Sequence, residues 1–507
     1  MATTPLPTSL PTGRLLEVRG AVRVVVDEAT ETTDSLWVRD GVVVAPPSVD
    51  ELGGGHDVLD AGGCVVTPGL VNAHHHLLQS GFRTLPGTRH VPMAEWLPAM
   101  AAAYGSAGVD PSLVAATTAV GVAEGLLAGV TTVADHQLNW PAAPALGGPA
   151  HGGAALGGAA LGGATADAAV ADTVAIVRSI AETARGLGGR LVFVRGSARD
   201  DPQRAAASAE AIVQGLLGAE GRVPPGGVSA DGMLQLAVGP AGVHSDGRET
   251  FELLAEVAAR HGLRRRTQAN EQVDVAIALE RWGRRPLDLL DEWGWLADDV
   301  TIAHLCAVDA SEVARLAAAG VTATHAPGCD LPMGWGVAPV AALRAAGVVV
   351  GLGTSGGGSN DAGHLLADAR LAMQVAPLAP WPGGAGGAGG AEDAEDGEGA
   401  GGAASSPTLT LTARDALGLA TSGSAAGLGR PELGHLRPGA AADLCLWDVS
   451  GVADAGVADP VAGLLWASPG RRPRHVLVAG RPVVRDGRLL GADEHELVAA
   501  LRERVGR

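Results

Sequence analysis

The chain is predicted to be an α/β protein: a TIM-type (β/α)8 barrel carrying a small β-sandwich domain built from both chain ends. Three observations predict it. Strand-like runs alternate with helical patterns across residues 67–425. Both ends are instead rich in short β runs broken by turns. Polar clusters sit at the ends of many different strands, as at a barrel rim. No Gly-x-Gly-x-x-Gly opens a helix after the first strand, as a dinucleotide-binding open sheet would have it.

The N-terminal region contributes Leu15–Arg19, Val22–Val26 and Ser35–Val38, all rich in β-branched residues. The C-terminal region contributes Asp443–Trp447, His475–Gly480 and Pro482–Val484, with a turn at Asp486-Gly487. Residues 1–66 and 426–507 are therefore assigned to one β-sandwich domain and 67–425 to the barrel. In the barrel, strand-like runs begin at Val130, Arg190, Leu234, Val300, Val321 and Val348. Helical patterns over Thr250–His261 and Ala310–Ala319 end on Gly262 and Gly320, the residue type that best stops a helix. Two inserts, near 142–166 and 383–405, are Gly/Ala-rich and are expected to be mobile loops, because they offer too little apolar surface to offset ordering.

Composition narrows the function. A net charge of −19 argues against nucleic acid or an anionic membrane surface as a partner. No apolar run approaches the roughly 20 residues that span a bilayer, and the first residues lack the pattern of a signal peptide. Four scattered cysteines with no Cys-x-x-Cys spacing fit a reducing cytoplasm, the expected location. All 36 cationic residues are arginine. That excludes a Schiff-base lysine, a phosphate-loop lysine and a carbamylated lysine bridging two metals. Arg264-Arg265-Arg266 reads as a solvated corner between helix and strand.

The chemistry gathers at Thr67-Pro68-Gly69-Leu70-Val71-Asn72-Ala73-His74-His75-His76. Residues i and i+2 of a strand share a face, so His74 and His76 can point inward together. Two imidazoles on a strand end form half of a zinc-type site, which needs further nitrogen, sulfur or carboxylate ligands from elsewhere.

Together with Gly129–His136, Thr301-Ile302-Ala303-His304, His325-Ala326-Pro327, Gly351–Ser355, Ser359-Asn360-Asp361 and Leu436–Leu444, that motif resembles the amidohydrolase superfamily. The likeness is to its heterocycle aminohydrolases: 8-oxoguanine deaminase, guanine deaminase and the triazine hydrolases. The resemblance implies a barrel with a sandwich from both ends and one divalent metal, zinc or iron. Its ligands would be His74 and His76, a histidine after strand five and an aspartate after strand eight. It further implies that Glu271 shuttles protons, that His304 contacts the hydroxide or substrate, and that Gln79 and Arg195 contact the heterocycle. Trp96 and Trp335 would border the pocket. A small nitrogen heterocycle is then the expected partner, with an oligomer of identical chains left open.

Two positions depart from that pattern. Strand five supplies Gln268, a weak neutral ligand, and strand eight supplies Ser355 in the catalytic carboxylate's place. Ala307 stands where many relatives carry a histidine. A family metal lowers the pKa of bound water from 15.7 to roughly 7, and neither replacement supports that well. Three readings stay open: a deaminase with a weakened or altered metal site, a metal-independent enzyme using Glu271 and the histidines for acid–base chemistry, and a heterocycle-binding protein without catalysis.

Overall fold

The computed structural model describes residues 12–141, 166–218, 223–379 and 410–506. Both low-complexity inserts fall outside these residues, apart from position 166, which opens a helix over Ala166–Gly186.

Nine parallel strands form the central sheet: β1 (Leu70–His76), β2 (Val130–Gln137), β3 (Arg190–Ser197), β4 (Leu234–Pro240), β5 (Arg264–Ala269), β6 (Val300–His304), β7 (Thr322–His325), β8 (Val350–Leu352) and β9 (Ser355–Gly356). They lie in the order β8-β7-β6-β5-β4-β3-β2-β1-β9. Only Gly353 and Thr354 separate β8 from β9. One pairs with β7 and the other with β1, through Ser355 opposite His75, so the sheet returns on itself as a TIM-type barrel does. The sequence runs locate these strands except β5, whose arginines read as a corner, and the two-residue β9, but they stop short of most C-terminal ends. β2 runs four residues past the Val130–Val133 run, through Asp135-His136-Gln137, and β3 three past Arg190–Val194, through Arg195-Gly196-Ser197. These polar ends look like loop by composition, yet they keep pairing because their side chains find partners in the rim.

One end of the barrel is plugged. Val71, Ala134 and Val192 share a small apolar core with Ala425, Leu428 and Leu433. Thr301 Oγ1 donates to the Gly427 carbonyl at 2.6 Å, and Gln235 Nε2 to that of Leu428 at 3.0 Å. Functional groups are thereby left to the opposite rim, where the strands end.

The terminal regions build two further sheets. One has four strands in the order Val42–Val44, Leu36–Arg39, Leu15–Arg19, Asp57–Asp60. The other has seven, and in it Leu444–Asp448 from the C-terminal region pairs antiparallel with Cys64–Pro68 from the N-terminal region. Leu16, Val18 and Val38 of the first share a buried core with Val24, Val66, Leu444 and Leu446 of the second. Arg190, at the start of β3, clamps Asp443 with two bonds of 2.7 and 2.9 Å and ties the barrel to this body. Among the described residues, no helix is long and apolar enough to cross a membrane.

Candidate active site

The strand-end histidines converge. His74 and His76 have ring centroids 4.9 Å apart, and His74 lies 5.3 Å from His304 and 6.1 Å from His136. His75 points the other way, and its Nδ1 meets the Ser355 carbonyl. All are buried. His76 Nδ1 donates to the His136 carbonyl at 2.7 Å, which fixes its tautomer and leaves Nε2 as a lone pair. His74 Nε2 has no partner among the described residues. Burial, followed by the neighbouring positive charges, pushes these imidazoles toward the neutral form: His76 to about 3, His136 to about 4, and His74 well below its ordinary value.

Across the rim the groups are charged. His304 Nδ1 lies 2.6 Å from Asp330 Oδ1, and its Nε2 lies 3.0 Å from Gln268 Oε1 and 3.8 Å from Glu271 Oε1. The Asp330 carboxylate can only accept, so Nδ1 carries a hydrogen, and its charge favours the imidazolium. Burial opposes that charge, but the Asp330 carboxylate outweighs it and raises the His304 pKa. Burial likewise works against the Asp330 anion, yet His304 holds it at about 2. Glu271 is driven up by burial, with His304 only partly opposing, and its Oε2 has no partner among the described residues. Asp274 builds the turn that presents Glu271, accepting from the Asn270 and Glu271 amides at 2.8 and 2.6 Å. Asn270, Gln272, His304, Leu305 and Ser355 all have positive φ. Such left-handed non-glycine residues are uncommon and gather where a site over-determines the backbone.

The remaining expected residues separate. Gln79 Oε1 accepts from the Gly358 amide at 3.0 Å, while Trp96 Nε1 donates to the Gly358 carbonyl at 3.2 Å. Both therefore hold the loop after β9 in place. Trp335 does border the cluster, edge-on to His304 at 5.1 Å. Arg195 is not among the converging groups. It shares a strand face with Phe193, against the helices, where it donates to Ser208 Oγ at 2.8 Å, pairs with Asp200 at 2.8 Å and stacks on Trp140 at 4.8 Å.

The arginine triplet is not a solvated corner. Arg264–Ala269 is strand β5, and alternation sends Arg266 and Gln268 to one face. Arg266 is 3% exposed, and its Nη2 donates to the Ala73 carbonyl of β1, four strands away in the sheet order. Burial and the nearby Arg264 lower its pKa to about 9, so it stays charged near neutrality. Arg266 and Asp330 are the functional groups that the motifs overlook. Strand parity with Gln268 was the available signal for Arg266. Asp330, on the short helix Pro327–Asp330, has no periodic signal.

Residues 65–387 match the Amidohydrolase family. The chain is 31% identical to 8-oxoguanine deaminase from Pseudomonas aeruginosa, over 96% of this chain and 97% of that protein. It is 29% identical to isoxanthopterin deaminase from an unknown prokaryotic organism, over 89% and 87%. The atrazine chlorohydrolase of Arthrobacter aurescens, solved with zinc, superposes with a TM-score of 0.79 at 30% identity, over 97% of this chain and all of that one. The chain belongs to the amidohydrolase family, and it is an enzyme of the hydrolase and deaminase kind.

Metal binding is expected of that family. The residues here fit a metal in part only. His74 Nε2, buried without a partner, and His76 Nε2 suit a divalent ion. Gln268 Oε1 is engaged by His304, and Ser355 offers no carboxylate. His304 Nε2 is in turn engaged with Gln268. His304, Cys329 and Asp330 do bring a nitrogen, a sulfur and an oxygen within 4.8 Å of one another. Burial, reinforced by Asp330, raises the Cys329 pKa, which disfavours a thiolate ligand. The family's ligand set is therefore incomplete.

Proposed function

We infer that the chain hydrolyses the exocyclic C–N bond of a nitrogen heterocycle, an aminopurine or aminotriazine, releasing ammonia. The observation that carries this reading is Glu271: a fully buried carboxyl, raised by burial, with Oε1 3.8 Å from His304 Nε2 and Oε2 without a partner among the described residues. A glutamic acid that keeps its proton near neutrality can protonate a ring nitrogen and so make the adjacent carbon electrophilic. The neutral Nε2 of His74 accepts a proton from the attacking water, whose oxygen bonds to the amino-bearing carbon. That proton passes to the amine, which leaves as ammonia. The remaining hydroxyl proton returns to Glu271, and the ring keeps a carbonyl. The His304 imidazolium, fixed by Asp330, faces this centre and stabilises negative charge that develops there.

The names of the relatives support the substrate class, since they act on an oxopurine, a pterin and a triazine. Two terminal sheets with a shared core support reading 1–66 and 426–507 as one sandwich domain beside the barrel. The test is ammonia release by purified protein from a panel of aminopurines, aminopterins and aminotriazines, with Glu271→Gln as control. Turnover that survives in Glu271→Gln would refute the mechanism.

A further inference from the structure

We propose that the guanidinium of Arg266 is the resident cation of this pocket, holding the place a divalent ion would take and opposing its entry. Four observations carry the proposal. First, Arg266 spans the barrel interior, from β5 to the carbonyl of Ala73, the residue immediately before His74. Second, no carboxylate pairs with it among the described residues, and its buried Nη1 has no hydrogen-bond partner there. An unneutralised charge inside a low-dielectric barrel acts over distance with little screening. Third, strand alternation puts Arg266 on the same face of β5 as Gln268, the position from which a strand-five metal ligand would point. Fourth, the anionic group that would offset a metal has moved away. Ser355 is neutral, and the Asp330 carboxylate, 2.6 Å from His304 Nδ1, is committed to that ring.

The charge balance is thus self-consistent without an added ion. Arg266 supplies one positive charge within the barrel, and the His304 imidazolium neutralises Asp330. Adding two further positive charges between His74 and His76 would stack them on an unpaired guanidinium with no carboxylate to compensate. Replacing Gln268 and Ser355 by metal ligands would not by itself create a good site, because Arg266 would remain. This inference stands whether or not the chain deaminates a heterocycle, and its readout is metal content, which activity does not enter.

Four full-length proteins test it: wild type, Gln268→His/Ser355→Asp, the same pair with Arg266→Met, and the same pair with Arg266→Lys. Each is equilibrated with zinc, dialysed and measured by elemental analysis, with thermal melts to confirm folding. The expected result is well under one zinc per chain for the wild type and the double variant, and about one for the Arg266→Met triple variant. The Arg266→Lys triple variant keeps the charge while shortening the reach, and is expected to stay as metal-poor as the double variant. A double variant that loads about one zinc with Arg266 in place overturns the proposal. So does a wild type that retains stoichiometric zinc, or a Lys triple variant that loads as well as the Met one. Should the Met variant fail to fold, the double variant and its Lys derivative still decide the matter, since the proposal requires both to remain poor in metal.

Discussion

The two halves of the rim solve opposite problems. On β1 and β2, His74, His76 and His136 are neutral imidazoles, anchored by backbone carbonyls such as those of His136 and Gly239. Across from them, in the turn after β5, on β6 and on the helix after β7, Glu271, His304 and Asp330 form a charged and partly protonated relay. The first half looks ready to receive a cation. The second already contains charges that do without one. Burial alone would neutralise every one of these groups. The difference shows that a buried charge survives where a partner sits within hydrogen-bond reach, as Asp330 does for His304.

The comparison breaks most sharply at Glu271. Glu271→Gln keeps the shape and removes the proton that the ring nitrogen needs, so ammonia release is expected to fall about 10²- to 10⁴-fold. The pH profile carries the same information. A carboxyl raised by burial is protonated at low pH and loses its proton as pH climbs through the raised value. Activity is therefore expected to decline on the alkaline side. A profile that rises there instead would place the essential group on the other half of the rim.

Asp330 comes next. Asp330→Asn removes the anion that holds His304 charged and oriented. A drop in kcat of about 10- to 100-fold is expected, with KM little changed. Ser355→Asp added to Asp330→Asn returns a carboxylate to the start of β9, and a partial recovery of kcat is the expected outcome. Unchanged activity in Asp330→Asn would reduce that carboxylate to a packing group.

How much of this was legible in the sequence follows from periodicity. His74 and His76 could be placed on one face because strand alternation is strict, and helix ends at Gly262 and Gly320 because only certain residues tolerate left-handed backbone. The same alternation would have put Arg266 beside Gln268, but three consecutive arginines read as solvent-facing when charge is weighed above register. Asp330 could not be found this way. It reaches the cluster from a short helix after β7, and a one-turn element carries no period to read. Arg195 shows the converse limit: a strand-end motif located the residue but not the face of the sheet on which its side chain lies.

The neutral half can be tested by acid. His136 has a folded pKa of about 4 because burial disfavours its cation, against roughly 6.5 when unfolded. The folded state therefore binds fewer protons between these values. Its contribution to stability is complete above about 6.5 and is lost as pH falls toward 4, on the order of 2 kcal/mol by pH 5. The melting temperature is expected to drop from pH 7 to pH 5, and to drop less in His136→Gln, whose amide can still donate to Gly239. Identical pH slopes in the two proteins would mean that other groups carry the acid sensitivity.

The smallest effect on catalysis is expected at Arg195. Its guanidinium faces the helices, stacked on Trp140 and paired with Asp200, on the opposite side of the sheet from the histidines. Arg195→Met keeps apolar bulk over Trp140 but leaves Asp200 and Ser208 without their donor. Stability is expected to fall by about 2–3 kcal/mol, read as a lower melting temperature. KM and kcat of the folded fraction should stay within about twofold, the range expected of a substitution that removes no contact to the reacting groups. A large rise in KM at unchanged kcat would instead show that Arg195 grips the substrate. The contrast would then no longer lie between two halves of one rim, because a group on the outer face of β3 would belong to the site as well.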